Sequence, residues 1–170
     1  MTNAILVLNA GSSSLKFEVY PDAAGTPAPI LRGKITGKGN AAVFSARDAK
    51  GDAMHRGDLM ACDPATGHDD LIHALLDWLK PHQGGIAITA AGHRVVHGGR
   101  NLAAPALVTD ALLGELDALT PLAPMHQPHN LAAIRIVATA LPGLPQVACL
   151  DTSFHRTQTR LAQLFACPAR

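Results

Sequence analysis

The chain is poor in aromatic residues and in clustered positive charge, and both shortages argue against nucleic-acid binding. Aromatic residues make up 4% of the 170 residues, too few for the stacking platforms of single-strand binders. The formal net charge is +1 and the lysines and arginines form no cluster, so the electrostatic signature of such proteins is missing. We expect no nucleic-acid partner.

Closely spaced cysteine pairs and long apolar runs are also lacking, and we expect no secretory leader peptide. Cys62, Cys149 and Cys167 form no C-x-x-C pair, which argues against a disulfide framework and a thiolate zinc site. The N-terminus has no basic segment, and no stretch approaches the ~18 apolar residues of a membrane helix. We expect a cytoplasmic location and no membrane partner.

The residues that are present indicate one globular α/β domain, with 48% hydrophobic and 16% charged residues. The apolar and alternating patterns predict strands over 4–8, 15–20, 30–37, 85–99 and 145–152, and a weak extra hairpin near 42–46 and 53–60. Helical spacing predicts helices over 68–82, 109–119 and 128–141, and 156–165 could begin another. This order indicates a mixed sheet with helices packed on it.

The stretch "VLNAGSSSLKF" contains a serine-rich turn between two predicted strands. Gly11 would let the main chain approach a ligand, and the hydroxyls of serines 12–14 could donate to phosphate oxygens. Asn9 supplies a neutral oxygen suited to a cation or its bound water. An ordinary polar turn explains the same residues. The stretch matches neither a Walker loop nor a hydrolase nucleophile elbow.

The stretch "HRVVHGG" carries two histidines four positions apart. On a strand this spacing separates His93 and His97 by about 13 Å, which makes a shared zinc ion improbable. The strand places Arg94 and Val96 on one face, where a short carboxylate could bind, its charge on Arg94 and its alkyl end on Val96. A structural ion pair is the alternative for Arg94.

Two further stretches carry candidate residues. In "LAPMHQPHN", His126 is framed by Pro124 and Pro128, so its backbone is held. In "CLDTSFH", Asp151 ends a predicted strand, a favoured position for site residues in α/β proteins. A helix cap at Asp151 or Thr152 is the alternative.

Together the motifs "VLNAGSSSLKF", "AGHRVVHGG", "LAPMHQPHN" and "LDTSFH" resemble acetate kinases, the family that includes propionate and butyrate kinases. The resemblance covers essentially the whole chain. It implies a ribonuclease-H-like fold, as in sugar kinases, actin and the heat-shock ATPases. It also implies reversible phosphoryl transfer from ATP to acetate, giving acetyl phosphate and ADP, with Mg²⁺ or Mn²⁺ as the metal.

The resemblance also implies a role for each candidate residue. It places Asn9 at the magnesium site, Ser12, Ser14 and Lys16 at the phosphates of ATP, Arg94 at the acetate carboxylate, Val96 and Met125 at the acetate methyl group, His126 at the transferring phosphoryl group, and Asp151 at the position of an essential aspartate.

That aspartate is usually given the role of proton donor or acceptor, and elementary chemistry qualifies it. Acetate is already ionised at pH 7, since its carboxyl pKa lies near ~4.3, and an ionised carboxylate attacks phosphorus without a general base. Phosphoryl transfer chiefly needs alignment and positive charge. We therefore predict that Asp151 works through the magnesium shell or by orienting a neighbouring side chain.

Length separates this chain from the family pattern. Family members are over twice as long and carry a second domain that binds adenosine. We interpret residues 1–170 as a truncated N-terminal acetate kinase domain, with the C-terminal domain absent. The alternatives are a catalytically inactive fragment that binds acetate or phosphate weakly, and a propionate kinase. A homodimer is expected for the full-length family but is doubtful for this chain.

Overall fold

The computed structural model describes residues 2–11, 14–23, 28–37, 42–57, 67–82, 85–159 and 161–163. Its strands are β1 (Thr2–Ala10), β2 (Ser14–Pro21), β3 (Leu31–Thr36), β4 (Val43–Asp48), β5 (Ala53–Gly57), β6 (Ile86–Val95), β7 (Ala106–Leu107) and β8 (Gln146–Leu150). Its α-helices are α1 (His68–His82), α2 (Asp110–Ala118), α3 (Gln127–Ala140) and α4 (Asp151–Phe154). Across these residues, no helix is long and apolar enough to cross a bilayer.

All eight strands form one mixed sheet in the order β5-β4-β3-β2-β1-β6-β8-β7. Strands β1 to β5 pair antiparallel as successive hairpins, whereas β1, β6 and β8 are parallel neighbours. The parallel connections pass through helices, as crossovers between parallel strands require. This mixed sheet with packed helices agrees with the predicted fold class.

The predicted elements are largely confirmed, including the weak hairpin, which is β4–β5. The predicted strand over 85–99 is too long, because it ends at Val95. The next N–H groups donate to side chains of α3 instead of to a neighbouring strand. An α-helix over 156–165 is wrong for the described residues, which form short 3₁₀ turns at His155–Thr157 and Leu161–Gln163. Leu161 is 82% exposed, so its side chain forms no part of a buried apolar face that would support a longer helix.

Helices α1 and α3 pack together on one face of the sheet. Alternate residues of each strand face them and form the larger core cluster, which includes Leu6, Leu8, Phe17, Ile35 and Phe44. A second cluster joins α2 and α3 to the ends of β6 and β8, through Val95, Leu116, Leu131, Ile134 and Leu150. The two clusters fix α3 over the parallel strands, and α3 begins where those strands end.

Gly33 makes the antiparallel part of the larger core possible. It lies opposite Phe17 in the β2–β3 register, on the helix-covered face. A Cβ at this position would lie 2.5 Å from the Phe17 ring and 2.5 Å from the Ser45 carbonyl oxygen. The Phe17 ring therefore occupies the space that a side chain at position 33 would need.

The opposite face of the hairpin strands carries positive charge. In the sheet register Lys16 lies opposite Lys34, and Arg32 lies opposite Arg47. Both pairs are solvent-exposed. Glu18 lies beside them, and its carboxylate accepts a hydrogen bond from Tyr20.

Candidate active site

The candidate site lies where the three parallel strands end. Asn9 is near the carboxyl end of β1, Arg94 near that of β6, and Asp151 directly follows β8. These strands are adjacent and point the same way, so their carboxyl ends meet at one edge of the sheet. Such an edge is the usual place for ligands in open α/β sheets.

Arg94 joins the other two residues through its guanidinium group. Its Nε lies 3.0 Å from both carboxylate oxygens of Asp151, and Nη2 lies 2.5 Å from Oδ2. On the other side, Nη1 donates to Oδ1 of Asn9 at 3.2 Å. The Asp151 hydrogen bonds raise the pKa of Arg94 above its ordinary value. The three side chains therefore form one hydrogen-bonded unit, with Arg94 fixed in its cationic form.

The ion pair leaves the site open to a ligand. The side chains of Arg94 and Asp151 are 45% and 35% exposed. Arg94 does form an ion pair with Asp151, as the alternative interpretation of this residue predicted. These contacts leave part of the guanidinium available to a ligand, because its N–H donors outnumber the hydrogen bonds that Asn9 and Asp151 accept.

The phosphate candidates lie next to Asn9. Lys16 is its register partner in the β1–β2 hairpin, and the Ser14 carbonyl oxygen accepts from the Gly11 N–H at 2.9 Å to close the turn. The side chain of Lys16 is exposed. Ser12 lies outside the described residues.

The acyl-pocket candidates lie beside the end of β6. The Val96 N–H donates to Asn130 Oδ1 at 3.0 Å, which places Val96 against the first turns of α3. Met125 and His126 immediately precede this helix. Met125 is 69% exposed, and His126 is the N-cap residue, with no capping hydrogen bond from its side chain. Both side chains lie on the surface at the beginning of α3.

The two histidines of "HRVVHGG" have different surroundings. His93 is buried, and its Nε2 lies 2.7 Å from the Gln146 amide. Burial lowers the pKa of His93 to about 4, so the ring is neutral at pH 7. His97 lies in the following loop, where its Nδ1 accepts from the Gly99 N–H. His93 is therefore a core residue with no part in the site.

A groove of about 510 Å³ extends from the site across the charged face of the hairpin strands. Its volume falls within the range of small-molecule sites. The side chains along it include Val7, Asn9, Lys16, Glu18, Arg32, Lys34, Ser45, Arg47 and Arg94. The groove thus carries five cationic side chains and one carboxylate on a wall of β-strands, and this excess of positive charge suits an anionic ligand.

The oxygens of the site fit a magnesium ion. Asn9 Oδ1 and the Asp151 carboxylate both accept hydrogen bonds from the Arg94 guanidinium, so an amide oxygen and a carboxylate lie within reach of one side chain. Among the described residues, no group of three His, Cys, Asp or Glu side chains could hold a metal. Mg²⁺ commonly takes one or two protein oxygens and completes its shell with water and substrate phosphates, so this sparse donor set is compatible with it.

Sequence reasoning missed the polar side chains that support the site. Gln127 donates to the His97 carbonyl oxygen at 2.9 Å and accepts from the His97 N–H at 3.2 Å. Asn130 binds the backbone at Val96 and Ala10, and Thr152 Oγ1 accepts from the Gly98 N–H at 3.0 Å. The sequence pattern that could have indicated these residues is a pair of amide side chains, Gln127 and Asn130, at the start of an otherwise apolar helix.

Comparisons with known proteins place the chain in one protein family. The model of the acetokinase family matches residues 4–170. An acetate kinase from Rhodopseudomonas palustris is 39% identical over 99% of this chain and 42% of its own length, and one from Halothermothrix orenii is 36% identical over 96% and 41%.

Solved structures give the same result. The crystal structure of Porphyromonas gingivalis acetate kinase matches with a TM-score of 0.79 and 28% identity, over 98% of this chain and 42% of that one. A propionate kinase from Francisella tularensis matches with a TM-score of 0.74 and 31% identity, over 98% and 41%. The chain therefore spans about two fifths of the length of the relatives that it matches.

Proposed function

Because this chain belongs to the acetokinase family, we propose that it serves phosphoryl transfer between ATP and acetate, giving acetyl phosphate and ADP. The supporting observation is the unit of Asn9, Arg94 and Asp151 at the carboxyl ends of three parallel strands, next to Lys16. It offers a fixed cation for a carboxylate, a further cation for phosphate and oxygens for a metal. ATP is an intracellular nucleotide, so we place the reaction in the cytoplasm.

Arg94 binds the acetate carboxylate in this proposal. A guanidinium presents its donors in a fixed fork that matches a carboxylate, and the Asp151 contacts hold that fork in orientation. Val96 lies two residues beyond Arg94 and Met125 lies just before α3, and in this proposal both supply apolar atoms for the methyl group. Acetate is then held as an anion, with its nucleophilic oxygen beside the residues that bind phosphate.

The phosphoryl group lies between cations and hydrogen-bond donors. Lys16 neutralises phosphate oxygens, the turn with Ser12 and Ser14 donates to them, and His126 contributes from the start of α3. Asn9 and Asp151 would hold a magnesium ion, which neutralises charge on the phosphates when it is bound. The chain's own residues supply alignment and positive charge, the main needs of phosphoryl transfer.

Asp151 orients Arg94 rather than acting as a base. Its carboxylate oxygens accept hydrogen bonds from the guanidinium, so they hold that group in orientation. The acetate oxygen carries no proton at pH 7, so none has to be removed. Asp151 is thus a positioning residue for Arg94 and a candidate metal ligand.

Propionate is the second candidate substrate, favoured by the similarity to the Francisella tularensis propionate kinase. The two acids differ by one methylene group. A hydrophobic pocket discriminates between two such substrates by only about 1–3 kcal/mol. Val96 is half-buried and Met125 is exposed, so the described residues form only part of an acyl pocket.

The test is the formation of acyl phosphate, trapped with hydroxylamine, from ATP and each of acetate, propionate and butyrate. We expect a polypeptide that carries residues 1–170 and has the full length of the relatives to form acyl hydroxamate, with the highest kcat/KM for acetate, and residues 1–170 alone to form none. A higher value for propionate would select the second candidate. If the longer polypeptide forms no product from any of the three acids, the proposal is refuted.

A further inference from the structure

We propose that Asn130 is a positioning residue, whose single side chain sets the spacing between the strand ends that carry Asn9 and Arg94. Its amide spans two backbone segments that are distant in sequence. Nδ2 donates to the Ala10 carbonyl oxygen at 2.6 Å, and Oδ1 accepts from the Val96 N–H at 3.0 Å. Ala10 directly follows Asn9, and Val96 lies two residues beyond Arg94.

The need for this bridge follows from the sheet. The β1–β6 pairing ends at the Leu8–His93 pair, whereas β6 continues to pair with β8 as far as Val95 and Leu150. Strands β1 and β6 therefore separate where the candidate site begins. Beyond this point no ladder hydrogen bond between these two strands holds Asn9 at its distance from Arg94, and Asn130 joins them instead.

The surroundings of Asn130 make the bridge rigid. Its side chain is 1% exposed, and it lies in the first turns of α3, between the buried residues Gln127 and Leu131. Water cannot readily replace either hydrogen bond at such a site, so losing one leaves a buried backbone group unpaired. Gln127 supports the same loop by binding both backbone groups of His97.

This role of Asn130 rests on the proposed function of the site, but its test measures the arrangement of the side chains and not catalytic turnover. The Arg94 Nε–H group donates to Asp151, and it gives its own signal in a ¹⁵N correlation spectrum of the 170-residue chain. Its chemical shift and its hydrogen-exchange rate report whether Arg94, Asn9 and Asp151 stay together. A chain without kinase activity would still give this answer, so failure of the proposed function leaves the test intact.

Three variants separate positioning from general stability. Asn130→Ala removes both hydrogen bonds, whereas Asn130→Asp keeps an acceptor for the Val96 N–H and loses the donor to Ala10. Gln146→Ala is the matched control, because Gln146 is a buried amide at the amino end of β8, away from the site. Exchange at the core amide of Leu6 measures the loss of global stability in each variant.

Relative to Leu6, we expect Arg94 Nε–H exchange to rise at least about tenfold in Asn130→Ala, and its signal to shift. Asn130→Asp should show the same change, because its carboxylate would face the Ala10 carbonyl oxygen without a donor, and whichever of the two variants folds carries the test. Gln146→Ala should change the ratio less than about twofold. If the Asn130 variants move the Arg94 signal no more than Gln146→Ala does, Asn130 is an ordinary core amide and the inference is wrong.

Discussion

Arg94 assembles the site at the residue scale, since its guanidinium contacts both Asn9 and Asp151. The motifs predicted these three residues individually. Their mutual hydrogen bonds were not predictable, because they depend on which strands become neighbours in the sheet. Asn130 and Gln127 were missed for the same reason: an amide in an amphipathic helix shows its role only when its backbone partners are known.

His93 predicts a pH dependence of stability. Burial lowers the folded-state pKa of His93 from 6.5 to about 4. Between pH 4 and pH 6.5, the unfolded chain therefore binds a proton at His93 that the folded chain does not bind. Stability contributed by neutral His93 is therefore complete above pH 6.5 and is lost as the pH falls toward 4, by about 1.4 kcal/mol per pH unit.

Urea unfolding at pH 7, 6 and 5 measures this slope. The wild type should lose more stability on acidification than His93→Gln, because carboxylate titrations are common to both proteins and cancel in the comparison. His73→Gln, which changes an exposed histidine of α1, should keep the wild-type slope. Equal slopes for all three proteins would show that His93 is protonated in the folded state as readily as in the unfolded one.

At the scale of elements, the long amphipathic segments were predictable and the short ones were not. The helix predicted over 68–82 has those bounds, because its apolar residues recur at helical spacing beside a clear stop. Strand β7 has two residues and α4 has four, too few for any periodicity to show. The end of β6 at Val95 was missed because side chains of α3, distant in sequence, take over the backbone hydrogen bonds there.

Two glycines predict opposite effects of the same substitution. Gly33→Ala should destabilise the chain by about 1–3 kcal/mol, because the new Cβ would overlap the Phe17 ring and a backbone oxygen of β4. Gly114→Ala should stabilise it by about 0.5–1 kcal/mol, since Gly114 lies within α2 and a Cβ there meets nothing within 4 Å. Urea denaturation of both variants measures the difference. A tolerated alanine at 33 would contradict the described packing of β2 against β3.

The facing lysines of β2 and β3 predict a salt-dependent gain. Lys34→Gln removes the repulsion from Lys16 and should raise the free energy of unfolding by roughly 0.2–1 kcal/mol at low salt. The gain should shrink toward zero in 1 M salt, where the screening length falls to about 3 Å. Lys50→Gln, in the β4–β5 turn, is the control and should show little gain at either salt concentration. An equal gain at high salt would mean that charge is not its cause.

At the scale of the whole molecule, the sheet has one face covered by α1 and α3 and a charged groove on the other, with the candidate site at the edge where the parallel strands end. The fold class was predictable, because the order of strands and helices admits few sheet topologies and the motifs selected one family. The chain spans about two fifths of the length of its relatives.

The acetate dependence of phosphoryl transfer in Arg94→Lys tests the central claim most directly, with Arg135→Lys as control. Arg135 forms the other exposed arginine–aspartate pair of the described residues, with Asp117. Lysine keeps the charge but loses the fork, and charge-assisted hydrogen bonds are worth about 1.5–3 kcal/mol.

In a polypeptide that carries residues 1–170 and has the full length of the relatives, Arg94→Lys should therefore lower kcat/KM for acetate about 10- to 150-fold, while KM for ATP changes little and Arg135→Lys resembles the wild type. The same kcat/KM for acetate in Arg94→Lys and Arg135→Lys would contradict the assignment of Arg94 to the acetate carboxylate.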